Sequence, residues 1–165
     1  MFPHHRLAGV FNVLFTDALA ITPALSAQNK PPLNQSPADA QGTTYTLTIH
    51  MTGFRNENGD AGVLVFCTPK GWPESNADAC KHKSTPIHNG EATIQFDGLK
   101  AGVYAAVALH DENMNKKMDR NFLGIPKEGF GFPHDLKVGL RAPSWNAASF
   151  KVAGDTTIQI KMQYK

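Results

Sequence analysis

TYTLTIHM, residues 44–51, sets the period of this chain. Tyr45, Leu47, Ile49 and Met51 fall on one face, and Thr44, Thr46, Thr48 and His50 on the other. A repeat of two is the side-chain period of a half-buried strand, one face to a core and one to water. The alternation returns at the carboxyl end, where Ile158, Ile160, Met162 and Tyr164 interleave with Thr157, Gln159, Lys161 and Gln163. In EATIQF, residues 91–96, Ala92, Ile94 and Phe96 turn to one side. AGVLVFCT, residues 61–68, is apolar on both faces and reads as a more central strand.

The connections are turn chemistry. FRNENGD, residues 54–60, carries Asn58-Gly59, a hairpin signal. FDGLKAGVYAAVALH, residues 96–110, reads as two strands joined by a tight turn, with Gly98 and Gly102 free to take positive φ. NAASFKV and TTIQIKMQYK add two last strands around Gly154-Asp155, whereas residues 69–90 read as a long loop. Beyond the amino-terminal segment no stretch holds a 3.6-residue apolar repeat for three turns. The expected fold class is therefore all-β, an antiparallel β-sandwich of the immunoglobulin-like kind. Six strands are visible, a seventh is expected near Gly129–Leu140, and one loop is long.

Ahead of this domain the composition changes twice. Residues 1–27 place Arg6 before an apolar run from Leu7 to Leu25 and end in Ala24-Leu25-Ser26-Ala27, the layout of a secretory signal peptide. Asp17 and Pro23 interrupt that run and argue against a stable membrane span. Residues 28–42, rich in Pro, Asn, Gln and Ser, have little to bury and read as a flexible linker, so the sandwich is expected over 43–165. Export, to a periplasm or the medium, fits the two cysteines, Cys67 and Cys80, which are expected to form a disulfide. A formal net charge of +2, with scattered basic residues and no aromatic interleaving, gives no footprint for nucleic acid.

Chemistry concentrates in HDENMNKKMDRNFLGIPKEGFGF, residues 110–132. Asp111, Asn113, Asn115 and Asp119 occupy positions 1, 3, 5 and 9 of a calcium-loop template, with the Lys117 carbonyl at position 7. Two positions depart from it: Lys116 stands where the template has Gly, and Phe122 where it has a bidentate Glu, a place Glu128 would have to fill by folding back. The competing reading is a turn in which Asn and Asp side chains bond their own backbone. His110, Glu112 and Glu128 are candidate binding or acid–base groups. His110 itself is expected at a strand end, pointing away from Val103, Val107 and Leu109 as a hydrogen-bonded structural residue. Phe122, Phe130, Phe132 and Trp145 either form a binding surface or fold over the sheet edge to complete the core. No Gly-x-Ser-x-Gly surrounds Ser144 or Ser149, so a nucleophile elbow is absent.

The strand ending in His-Asp-Glu-Asn, the Asn-rich turn, Gly124-Ile-Pro-Lys-Glu-Gly129 and the aromatic after it resemble domain-of-unknown-function family 2141, small exported bacterial proteins. Gly102-Val103-Tyr104 and Ala142-Pro143-Ser144 fit the same pattern, and the likeness runs from about Thr46 to Tyr164. The resemblance implies a transthyretin-like sandwich and brings no activity with it. Members of that family often carry glycines inside the turn, where this chain has Met114 and Lys116, so the bend is expected to be managed by other residues.

The functional expectation is an exported, non-catalytic binding or accessory protein, with a weak Ca²⁺ site in the 111–119 loop. Its partner would be a small molecule, a glycan or an envelope protein. The alternatives are a small hydrolase-type enzyme using His110 with Glu112 or Glu128, and a structural envelope component.

Overall fold

A computed structural model of the chain describes residues 42–139 and 141–165. The expected signal peptide, and the linker apart from Gly42, lie outside them. Eight strands form: β1 (Thr44–Thr52), β2 (Asp60–Phe66), β3 (Lys81–Pro86), β4 (Glu91–Lys100), β5 (Gly102–Asp111), β6 (Gly129–Gly131), β7 (Ser149–Val152) and β8 (Thr156–Lys161). One sheet has the order β4-β1-β8 and the other β3-β2-β5-β6. In the second sheet β7 pairs the opening of β5, Gly102–Ala105, where β6 pairs its end, Ala108–His110. All pairings are antiparallel except β1 with β8, which is parallel.

The sandwich follows from the alternation. Leu47, Ile49 and Met51 of β1 are fully buried, and they join Val63 and Val65 of β2, Ile94 and Phe96 of β4 and Ala106 and Ala108 of β5 in one core. Trading exposed for buried side chains of this kind stabilises by about 1.5–3 kcal/mol each in transfer terms. A second apolar layer lies on the far face of the second sheet, where Ala105, Phe130, Phe132, Val138 and Ala148 are buried with Trp72 and Trp145 against them. β2 is thus a central strand between β3 and β5, as its sequence indicates, with Phe66 alone fully buried on its outer face.

β3 lies inside the stretch expected to be a loop. Its residues KHKSTP have no apolar face to reveal a strand. It forms because β2 offers a free edge, and its Lys81 and Lys83 ammonium groups then reach the Asp97 and Gln95 carbonyls of β4, 3.2 and 3.4 Å away. Lysines at such an edge blunt further strand pairing. Gly98 also serves a different purpose from the one expected. Its φ of +76° lies within β4, at the register shift between Tyr45–Leu99 and Leu47–Phe96, so it makes a bulge, and Gly102 has no positive φ.

Cys67 and Cys80 form a disulfide, Cα atoms 5.9 Å apart, that ties the end of β2 to the start of β3. After β8 the chain crosses to the second sheet, where Gln163 and Phe130 exchange backbone hydrogen bonds of 2.7 and 3.0 Å. Tyr164 is thereby carried to the inner side of β5. Among the described residues no helix is long and apolar enough to cross a membrane.

Candidate functional site: the 111–135 loop and its cleft

β5 delivers its last two residues to opposite faces. His110 turns inward and is fully buried, on the opposite face to Val103, Val107 and Leu109. Its Nε2 stands 2.8 Å from the Asn58 carbonyl and its Nδ1 2.8 Å from the Tyr164 hydroxyl, with the Phe54 ring edge-on at 5.2 Å. Asn58 comes this close because Gly59, at φ +70°, has no side chain: a Cβ there would sit 1.9 Å from the Asp111 carbonyl.

Glu112 lies beside this histidine without being free to act with it. Its carboxylate meets the Arg55 guanidinium in two bonds of 2.6 and 2.7 Å, and Asn56 adds a third at 3.3 Å. The Arg55 bonds hold its pKa below the ordinary carboxylate range despite partial burial. The His110 Nδ1–Glu112 Oε1 separation is 3.5 Å, but Nδ1 is directed at Tyr164. Glu128 folds back, as the calcium template would need, and is buried. Its two oxygens accept the backbone N–H groups of Glu112 and Asp119 at 3.1 and 2.9 Å. Burial raises its pKa, against the pull of those N–H bonds, and the nearby Asp119 and Asp111 charges raise it further.

Asp111 organises the turn. Its two oxygens accept the N–H groups of Asn115 and Lys116 at 3.0 and 2.7 Å, Asn113 Oδ1 accepts Asn115 N–H at 3.1 Å, and Asn115 Oδ1 accepts Lys117 N–H at 2.8 Å. The amide groups of Asn113 and Asn115 both donate to the Asp119 carboxylate, at 2.7 and 3.1 Å. Asp111, Asn113, Asn115 and Asp119 are therefore one connected cluster, with Glu128 bonded to the Asp119 backbone. Among the described residues no three of His, Cys, Asp and Glu gather closely enough to hold a metal by themselves, so any cation here would need the Asn and carbonyl oxygens too. The bend is made without glycine. Met114 and Lys116 themselves take φ of 57° and 63°, the left-handed conformation that suits glycine.

Beyond the turn, the loop stands over the outer face of the second sheet. There the cross-strand neighbours Gly62–Leu109 and Leu64–Val107 are only half buried. They floor a cleft of about 1310 Å³, walled by Met118 and Ile125 on one side and by Val138 on another.

Residues 49–160 match the profile of an uncharacterised protein family conserved in bacteria, domain-of-unknown-function family 2141. The chain belongs to that family. Comparison with curated proteins and with solved structures finds no match.

In this family 2141 chain the expected site residues divide into three groups. Asp111, Asn113, Asn115 and Asp119 come together; Lys117 contributes its backbone N–H to the turn. His110, Glu112 and Glu128 converge as well, but in bonds to Tyr164, Arg55 and backbone. Phe130 and Phe132 are buried in the second apolar layer and Trp145 packs against it, so these rings complete a core. Arg55, Asn58 and Tyr164 were not singled out from sequence. Each reaches the site from more than 50 residues away in the chain, and no local pattern marks them.

Proposed function

We propose that this is an exported, non-catalytic binding or accessory domain whose working surface is the cleft under the 111–135 loop, with residues 111–119 a calcium-type turn that stiffens its wall. The observation that carries the reading is the apolar floor of Leu64, Val107 and Leu109, half-buried among the described residues beside the part of the sheet face covered by Phe130, Phe132 and Trp72. Concave, mostly apolar surfaces with a few polar groups at the rim are where small molecules bind. The state of the acid–base groups supports the non-catalytic half. His110 is sealed from solvent with both nitrogens engaged, Glu112 is clamped by Arg55, and Glu128 spends both oxygens on backbone. A general base must reach the proton it takes from a substrate. The disulfide and the signal-like amino terminus support export.

Titration with 1-anilinonaphthalene-8-sulfonate tests the cleft. The expected result is a saturable, single-site fluorescence rise that falls several-fold in Leu109→Gln while the thermal transition stays cooperative. An unchanged titration in that variant would remove the cleft as the binding surface.

A further inference from the structure

The tip of the same loop is a built turn with an unusual cargo. The Asn121 side-chain oxygen accepts the N–H groups of Leu123 and Ile125 at 2.9 and 3.0 Å, and its carbonyl takes Gly124 N–H at 2.9 Å. Asn121 N–H returns to the Ile125 carbonyl at 2.9 Å, and Gly124 closes the bend at φ +77°. All of this bonding holds Phe122 and Leu123 out in water, 95% and 67% exposed, with Met114 at 62% from the neighbouring turn. Of the large hydrophobic side chains exposed among the described residues, only Val103 lies outside this loop.

Charge is segregated around the tip. Between residues 111 and 128 the loop carries the acids Asp111, Glu112, Asp119 and Glu128 and the cations Lys116, Lys117, Arg120 and Lys127. Asp111 and Glu128 are buried, Glu112 is held by Arg55, and Asp119 is half-buried between two Asn amides. Every one of the four cations is exposed, and among the described residues only Arg120 has a carboxylate partner, Glu74. The formal charges cancel, yet the loop's exposed side chains are cationic and apolar, with the exposed Glu74 offsetting Arg120 alone.

We propose that the Phe122–Leu123 tip docks this domain on an anionic lipid surface. The ring and the alkyl chain enter the headgroup boundary, and the lysines beside them remain at the phosphates, the division of labour of an interfacial anchor. A folded-back, hydrogen-bonded turn presents these side chains without an ordering cost at the moment of contact.

Co-sedimentation of the full-length chain with phosphatidylglycerol/phosphatidylethanolamine vesicles, against pure phosphatidylcholine vesicles, tests this. The expected result is uptake on the anionic vesicles that high salt reverses, falling roughly tenfold in Phe122→Ser/Leu123→Ser and again in Lys117→Glu/Lys127→Glu, with melting temperatures unchanged. In Phe122→Trp, the added emission shifts to the blue on anionic vesicles only. Uptake equal in parent and both double variants would assign it to residues 1–41 and overturn the proposal. Absence of uptake by the parent would also overturn it and leave the tip to a protein partner with an acidic rim.

Discussion

The Tyr164 hydroxyl lies 2.8 Å from His110 Nδ1 and 3.0 Å from the backbone nitrogen of Arg55, linking the last strand's extension to β5 and to the chain leaving β1. The Asn58 carbonyl can only accept, so His110 carries its proton on Nε2 and takes one at Nδ1 from Tyr164. The hydroxyl in turn accepts the Arg55 N–H. Gly129 makes room for the ring: a Cβ there would meet Tyr164 at 2.4 Å. Tyr164→Phe leaves both a buried imidazole nitrogen and a backbone N–H without partners, an expected loss of about 1–3 kcal/mol. Urea unfolding checks it, and the midpoint should fall with no change in slope. A midpoint within error of the parent would mean the relay contributes nothing.

Glu112 and Arg55 give the fold a pH dependence of known sign. The Arg55 bonds lower the Glu112 pKa, so the ionised form is favoured in the folded chain. A depressed carboxylate adds stability above its unfolded pKa, about 4.3, and that stability is lost as pH falls through the lower folded value. Arg55 is 43% exposed, which limits the pair to roughly 1 kcal/mol at low salt. Glu112→Gln should therefore melt below the parent at neutral pH, and the two should converge only once the pH has fallen below the lowered folded value. A gap that persists at acid pH would trace the loss to packing.

The sandwich was legible wherever one face of a strand is apolar, as in Leu47, Ile49 and Met51. β3 was not, because Lys81, His82 and Lys83 have no such face and the strand is placed by β2 and by lysine contacts to β4 carbonyls. β6 is only three residues long and was anticipated by position alone. Within the site, the clustering of Asp111, Asn113, Asn115 and Asp119 follows from spacing along one turn. The partners of His110 could not be read, since Asn58 and Tyr164 meet it 52 and 54 residues away in sequence. Nor could the inward turn of Asp111 and Glu128, which is set by backbone N–H groups.

Lys116 tests how much strain the turn carries. Its N–H is fixed by Asp111 at 2.7 Å while its φ is 63°, a conformation costing a non-glycine residue roughly 1–2 kcal/mol. Glycine relieves that cost but loses more freedom on folding, which takes back about 0.4–1 kcal/mol. Lys116→Gly is thus expected to stabilise by up to about 1 kcal/mol in chelator, seen as a higher urea midpoint. A lower midpoint would show that the lysine side chain contributes packing the turn depends on.

Calcium is best tested away from Asp111. Because its oxygens hold the Asn115 and Lys116 N–H groups, Asp111→Ala breaks the turn with or without metal. Among the described residues the Asp119 carboxylate meets only the two Asn amides, so Asp119→Asn removes the charge at equal size but turns its own NH2 donor toward one of them and loses that bond. With Asn at two ligand positions and two lysines alongside, the expected affinity is in the range of about 10⁻⁴–10⁻³ M seen for extracellular calcium modules. At ten times the dissociation constant, calcium should then stabilise the parent by about 1.4 kcal/mol, a shift of several degrees that chelator reverses. Magnesium, which demands tighter octahedral geometry, should shift it less. Asp119→Asn should melt somewhat below the parent in chelator, through the one lost amide bond, and show no further shift with calcium. Equal shifts in both proteins, or none in either, would leave the loop as a turn whose own amides neutralise Asp119.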